Sequence, residues 1–474
     1  MNSSKFILGI DLGTTHSVLA YTEARAAEDT EPIIRILNVP QILSPGELKA
    51  QPLLPSFIFL PGPHDVPHGS LALPWDPQVD FAVGEFARKR GAELPNRMIS
   101  SSKSWLCHSG VDRLEKVLPW EGPPDAGRLS PVEASARFLQ HLKQAWDYQM
   151  AAHDPDARFE AQDIYLTVPA SFDAVARELT VKAAQSAGLE NITLLEEPQA
   201  AFYAWVEAQK ERWRKAVHLG ESILVFDVGG GTTDFSLIQV TEENGELTLR
   251  RVAVGDHLML GGDNMDLTLA YAVQARLAQK GIKLDTWQFR GLWYSARVAK
   301  ERLLADPELH GEPVVILGRG SSLIGGTIRS ELTRTEVEQV LLDGFFPVSE
   351  SSEYPEDKPK IGVREMGLPY ESDPAVTRHL ARFLGRQAQG GLSQSGVPVA
   401  FPSAILFNGG VMKSELLRKR VLSVLNRWSG TGAIRELPSV DLDLAVARGA
   451  AYYGLARRGR GIRIRGGTAR SYYI

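Results

Sequence analysis

The chain has 474 residues, 43% hydrophobic and 23% charged, a size and balance that call for two or more soluble globular domains rather than one core. The net charge of −5 gives no ground for nucleic-acid or membrane-surface binding, and no run of 18 apolar residues offers a membrane span. Cys107 stands alone, which excludes an internal disulfide and a cysteine-based zinc site; with an N-terminus unlike a signal peptide, this points to a reducing cytoplasm.

The first element is "ILGIDLGTTHSVLAY", residues 7 to 21. A short Ile/Leu run reads as a buried strand, the Gly-Thr cluster as a tight turn, and "HSVLAY" as a returning strand. The first half-lobe is expected to run from Ser4 to Leu43. A Pro-rich stretch over residues 44–80 reads as an extended surface loop around the short strand "PSFIFL". "AVGEFARKRGAEL" reads as a strand end followed by a short helix. In "SPVEASARFLQHLKQAWDYQMAA", Ser130 is a candidate N-cap before Pro131, and the apolar spacing predicts a helix with Trp146 and Tyr148 in the core.

Residues 223 to 240, "ILVFDVGGGTTDFSLIQV", repeat the opening phrase. Each copy predicts a β-hairpin with a Gly-Thr tip. Glycine lets backbone N–H groups come close to a phosphate, and threonine hydroxyls add donors. Asp11 and Asp227 at the strand ends would repel a phosphate, but they suit a divalent cation held directly or through water. Two copies imply two similar half-molecules facing each other across a nucleotide and its metal. The chain has no Gly-Lys dipeptide, so a Walker phosphate loop is excluded, and no Gly-x-Gly-x-x-Gly opens a helix after a strand.

Later segments complete the pattern. Residues 349–374 are polar and Pro-rich and read as a mobile surface segment without chemistry. "AVTRHLARFLGRQAQ" reads as a helix packed on the second half. Arg457, Arg458, Arg460, Arg463 and Arg465 form a local basic excess, read as solvated surface. "IRIRGGTARSYYI" reads as a strand start, and its ending reads as that of a fragment of a longer protein.

On these phrases the chain resembles the actin, sugar kinase and heat-shock chaperone superfamily. Within it, the resemblance is to the ATPase domain of the seventy-kilodalton heat-shock chaperones of the DnaK type. Four further stretches carry it in the family's order: the connecting segment from Tyr165, "VGDHLMLGGDNMDLTLA" from Val254, "ILFNGGVMKSELL" from Ile405 and "DLAVARGAAYYG" from Asp443. The resemblance implies an α/β, actin-like ATPase fold: two duplicated ribonuclease H-like halves with inserted subdomains around a central nucleotide cleft. The first lobe would span residues 1–221 with an insert at about 44–145, and the second 222–474 with an insert at about 261–400.

The resemblance also implies roles. Lys103 in "SSSKSWL" would stand near the γ-phosphate, and Glu197 in "LLEEPQAA" by the metal and the attacking water. Thr232 and Asp234 would help place that water and an ion; with Lys103, Glu197 and Asp227 they make the candidate catalytic set. Asp11, Asp227 and Glu197 would serve Mg²⁺, with K⁺ a further candidate. ATP or ADP would be held by Gly13, Thr14, Thr15 and His16, by Gly229, Gly230, Gly231 and Thr232, and by Gly261, Gly262, Lys300, Gly409, Gly410, Lys413 and Asp443. Client peptide and co-chaperones would engage through a domain that this chain does not carry.

The base half departs from the family's pattern. Arg297 stands where the family has glutamate, Glu301 where it has arginine and Leu304 where it has serine. Val411 replaces a serine, Lys413 an arginine and His16 a frequent tyrosine. A pseudo-ATPase that binds without hydrolysing, a small-molecule kinase or phosphatase of the same fold, and an actin-like polymer are the alternatives.

Overall fold

The computed structural model describes residues 4–25, 32–108, 110–243, 246–318, 326–356, 367–389, 401–430, 432–438, 440–460 and 464–466. Two six-stranded sheets dominate. In the first, Phe6–Leu12 pairs antiparallel with His16–Glu23 and parallel with Asp163–Val168, which pairs parallel with Ile192–Glu196. In the second, Ser222–Val228 pairs antiparallel with Thr233–Glu243 and parallel with Ala404–Asn408, which pairs parallel with Arg435–Glu436. The two sheets share one order and one set of directions, so the repeated phrase marks a structural duplication. The central strands are buried along most of their length, which explains their unbroken Ile, Leu, Val and Phe runs.

Two helices join the halves. Glu197–Gln209 places Phe202, Trp205 and Val206 against Ile223, Val225 and Leu406 of the second sheet. Ala445–Arg457 places Val446, Ala450 and Leu455 against Ile7 and Tyr165 of the first. Each helix thus leaves one half and covers the other half's side of the molecule, and they cross at a small-residue contact. A Cβ on Gly449 would run into the Ala200 carbonyl and come within 2.9 Å of the Ala204 nitrogen. Gly9 lies just as close under the same helix, against the backbone of Ala447 and Ala451.

Smaller units sit above each sheet. Above the first are a three-stranded sheet (Ala82–Val83, Ile58–Phe59, Met98–Ile99) and the helix Glu85–Glu93. Above the second are the helices Gly262–Gln279 and Thr286–Ala305 with the hairpin Gly311–Ile316/Ile328–Thr333. They meet over the cleft. Arg290 pairs with Glu121 at 2.7 Å, and the Ser100 and Tyr294 hydroxyls are 3.1 Å apart.

Several expectations hold and several are corrected. Ser130 caps Pro131–Trp146 through a reciprocal box with Glu133, and Trp146 is buried against Phe6 and Tyr21. Tyr148 is not core: the helix passes into a wider turn at Asp147–Ala151, which turns that ring outward to 49% exposure. The Pro-rich stretch does not begin as a loop, because Val39–Ser44 and Glu47–Gln51 form a hairpin.

The polar segment 349–374 is no mere surface strap either. Leu368 and Tyr370 are buried, and Gly367 is wedged against Trp105 and Trp120, although residues 357–366 of the segment lie outside the described residues. In the basic stretch Arg458 is drawn back onto the first sheet by Asp163 at 2.6 Å; Arg463 lies outside the described residues. Ile464–Gly466 pairs parallel with Glu246–Val254, as the strand reading of that stretch expects. Among the described residues no helix is long and apolar enough to cross a membrane.

Candidate functional site

A cleft of about 430 Å³ opens between the halves, lined by both hairpin tips and both joining segments. The tips lie against one another. A Cβ on Gly230 would strike the Thr15 hydroxyl, and one on Gly231 would come within 3.0 Å of Thr14. Gly229 closes the second tip by donating its N–H to the Thr232 carbonyl at 2.9 Å. The helix Gly262–Gln279 then starts directly on that tip: Gly262 and Asp263 donate their N–H groups to the Gly229 and Gly230 carbonyls at 3.0 and 2.7 Å. Gly261 is pressed against the same carbonyls, which leaves no room for a side chain. Gly409 adopts φ +85° against Val228, where glycine takes a left-handed backbone without steric cost.

Charge collects at the floor of the cleft. Lys103, from the short helix Ser102–Trp105, pairs with Glu197 at the start of the joining helix. Thr167 donates to Asp11 at 3.2 Å, and Asn408 donates to Asp227 at 2.7 Å. Ser171 donates to Asp234, and its oxygen is 2.6 Å from His257 Nδ1.

Burial pushes the Asp227 carboxyl up to about 7; the Asn408 hydrogen bond opposes this, while Asp234 and Asp11 add to it. Burial likewise raises Glu197 to about 8, against the pull of Lys103, and it raises Asp11. Burial alone would lower the Lys103 ammonium, but Glu197 and Asp11 outweigh it and hold the group charged. Three acids, Asp227 buried and Asp11 and Glu197 partly so, therefore share one ammonium, and the floor is short of positive charge.

That shortage is what a hard divalent cation relieves, and carboxylate oxygens are its usual ligands. Among the described residues no three His, Cys, Asp or Glu side chains close into a metal cluster of their own. Asp11, Asp227 and Glu197 thus fit an ion that takes further oxygens from water or phosphate, rather than one caged by protein alone.

The far end of the cleft is built differently from the expectation. Arg297 is not free to face a base: Asp266 accepts from its Nε at 2.8 Å and Asp263 from its Nη2. Burial would lower its pKa, yet the two aspartates outweigh that and raise it. Lys300 is held by Asp266 at 2.6 Å and donates to the Gly262 carbonyl at 3.3 Å. Glu301, Leu304, Leu341 and Val411 line this end, and Lys413 pairs with Asp443 at its mouth. His16 also lines the cleft, its pKa lowered to about 3 by burial and by the charges of Arg88, Lys413 and Arg297, so it is neutral at ordinary pH.

All three metal candidates, Lys103 and Thr232 line the one cavity, as do Gly13, Thr14, Thr15, Gly229, Gly230, Gly262, Lys300, Gly409, Gly410, Lys413 and Asp443. Gly231, Gly261 and Asp234 sit behind that lining and shape it. Sequence reasoning missed Thr167, Ser171, Asn408, Asp263 and Asp266. Asn408 had a signal, since it directly precedes the double glycine at a strand end. The other four announce themselves only once their partners are placed. Of the neighbouring glutamates, Glu196 turns the other way and ties Arg177 at 3.0 Å and Arg251 of the second sheet.

Comparison with known proteins agrees with this architecture. A family model described as Hsp70 protein matches residues 83–343. The chain is 27% identical over 457 residues to a chaperone protein HscA homolog of Bordetella pertussis, covering 94% of this chain and 57% of that protein. It is 29% identical over 353 residues to the HscA homolog of Methylococcus capsulatus, covering 71% of this chain and 48% of that protein. Against the homolog of Acinetobacter baumannii it is 28% identical over 312 residues, 63% of this chain and 42% of that one. The chain spans about half the length of these relatives. The duplicated sheets, the facing Gly-Thr tips and the family match over more than half of the sequence lead to one conclusion: this chain belongs to the Hsp70 protein family.

Proposed function

We propose that this chain is the ATP-binding and slowly hydrolysing part of a divergent DnaK-type chaperone. In this reading it uses Mg²⁺ and couples nucleotide state to closure of its halves and to client binding. Family membership supports an ATPase that takes ATP or ADP with Mg²⁺. The observation that carries the reading is the floor of the cleft, where two phosphate-type tips meet above three acids and one buried lysine.

The chemistry asked of these residues is positioning and charge, since phosphoryl transfer needs little covalent help from protein. The tips Gly13–Thr15 and Gly229–Thr232 would cradle the phosphates with backbone N–H groups and hydroxyls. Lys103 would meet charge developing on the γ-phosphoryl group, and Glu197 would hold it in place and orient the attacking water. Asp11, Asp227 and Glu197 would hold Mg²⁺, which would supply charge neutralisation. Thr167 and Asn408 fix two of these acids by one hydrogen bond each, and Ser171 fixes Asp234. Lys300, Gly409, Gly410, Lys413 and Asp443 would meet the nucleoside. Client peptide and co-chaperones would engage outside the residues described.

The test is phosphate release from ATP with Mg²⁺ and no added small substrate. Slow release that drops at least tenfold in Lys103→Ala supports the reading. Release that needs a sugar or acid acceptor supports a kinase instead. The pseudo-ATPase reading draws on one observation: Arg297 and Lys300 are spent on Asp263 and Asp266, which leaves the base end without a free cation among the described residues that line it. Nucleotide binding with no release would favour it.

A further inference from the structure

Ser101 is a buried non-glycine residue with a left-handed backbone, φ 55° and ψ 29°. Such a conformation costs energy in an L-residue and persists where its surroundings impose it. Here the imposing contact comes from the other half of the molecule. The Ser101 hydroxyl donates to Asp263 Oδ2 at 2.7 Å, across the cleft. Asp263 is in turn fixed on three sides. Its N–H is bonded to the Gly230 carbonyl of the second tip, its other oxygen accepts from Arg297, and its carbonyl accepts from Trp293 Nε1 at 3.3 Å.

The residue after Ser101 opens the four-residue helix that carries Lys103. The Ser101 carbonyl accepts from the Ser104 N–H at 2.9 Å, so the left-handed turn sets the direction of that helix. Trp105, on the same turn, packs on Trp120 and His108, and His108 donates to the Gly367 carbonyl of the second half at 2.6 Å. The chain of contacts therefore runs from the second phosphate tip through Asp263 and Ser101 to Lys103.

We propose that Ser101 is a positioning residue that places Lys103 on Glu197 only when the two halves are closed, so that the second tip and the lysine report to each other across the cleft. With the cleft open, Asp263 withdraws, the turn relaxes to an ordinary backbone, and Lys103 leaves the floor. Arg297, foreign to the family's pattern at this position, acquires a role: it holds Asp263 as the anchor of this link. The proposal rests on the nucleotide reading of the cleft.

The test separates the hydroxyl from the backbone. Ser101→Ala removes the hydrogen bond and keeps the strain; Ser101→Gly removes the bond and the strain together. Acylation of Lys103 by a small amine-reactive ester, read by mass spectrometry of the full chain with and without MgADP, reports its exposure. Loss of a hydrogen bond to a charged acceptor predicts Lys103 labelling on the order of tenfold faster in Ser101→Ala, with labelling in Ser101→Gly between that and the wild type. Phosphate release should fall in the same order while nucleotide affinity changes less than threefold. Equal labelling in Ser101→Ala and wild type overturns the proposal, as does Ser101→Gly labelling as fast as Ser101→Ala. If wild type binds no nucleotide, the reading of the cleft fails; the labelling without nucleotide still decides the link itself.

Discussion

Gly449 sits at the crossing of the two joining helices, and Gly449→Ala tests whether that crossing holds the halves together. The added Cβ meets the backbone of the facing helix, the Ala200 carbonyl and the Ala204 nitrogen, so no side chain can swing away. The helices must separate, and the small-residue contact among Ala200, Ala201, Val446 and Ala450 opens with them. Overpacking of this kind costs about 3 kcal/mol, the upper end of its range, because the obstacle is rigid. For a unit of about 200 residues that is a fall in Tm of roughly 6–12 °C.

The control is Gly344→Ala. It lies in the helical segment Val340–Phe345, where an added Cβ meets nothing within 4 Å. There the loss of chain entropy in the unfolded state stabilises by up to about 1 kcal/mol. Thermal denaturation followed by circular dichroism compares the two. Because Glu197 opens one of the crossing helices and Asp443 precedes the other, Gly449→Ala should also weaken nucleotide binding. A Gly449→Ala protein that melts within 1 °C of wild type would refute the packing argument.

Three further outcomes follow from the cleft. In Gly230→Ala the new methyl strikes the Thr15 hydroxyl of the opposite tip, so nucleotide affinity should fall at least tenfold while Tm moves by less than 2 °C; titration calorimetry and a melting curve check both. Asp227 and Glu197 have folded pKa values raised to about 7 and about 8, so the acids favour folding most below their ordinary range near pH 4, and that contribution is lost as pH rises through 7 to 8. The nucleotide-free protein should therefore lose stability across that window. Mg²⁺-nucleotide, which favours the ionised acids, should bind more tightly as pH rises and release about one proton at pH 7. Calorimetry in buffers of different ionisation enthalpy measures that proton, and omitting Mg²⁺ should abolish its release.

Much of the fold was legible because the signals were local. Buried parallel strands need unbroken apolar runs, a tight tip facing another backbone needs glycine, and a helix start needs a cap such as Ser130. The duplication of these signals around Asp11 and Asp227 disclosed the two halves. The base end was not legible, because Arg297 owes its conformation to Asp263 and Asp266, more than 30 residues earlier on another helix. Tyr148 was misread because nothing in the 3.6-residue spacing shows where a helix widens. Leu368 and Tyr370 were misread because a polar, Pro-rich stretch hides two buried residues beside Gly367, which packs against Trp105 and Trp120 over 240 residues away.

In the proposed function a magnesium nucleotide binds between the two Gly-Thr tips. Titration calorimetry of the wild-type chain with ATP, ADP and GTP, each with Mg²⁺, tests it most directly. One site per chain is expected, with affinity that depends on Mg²⁺ and a clear loss of binding in Asp11→Asn together with Asp227→Asn. Heat-silent titrations with all three nucleotides, or binding that is unchanged in that double variant, would contradict it.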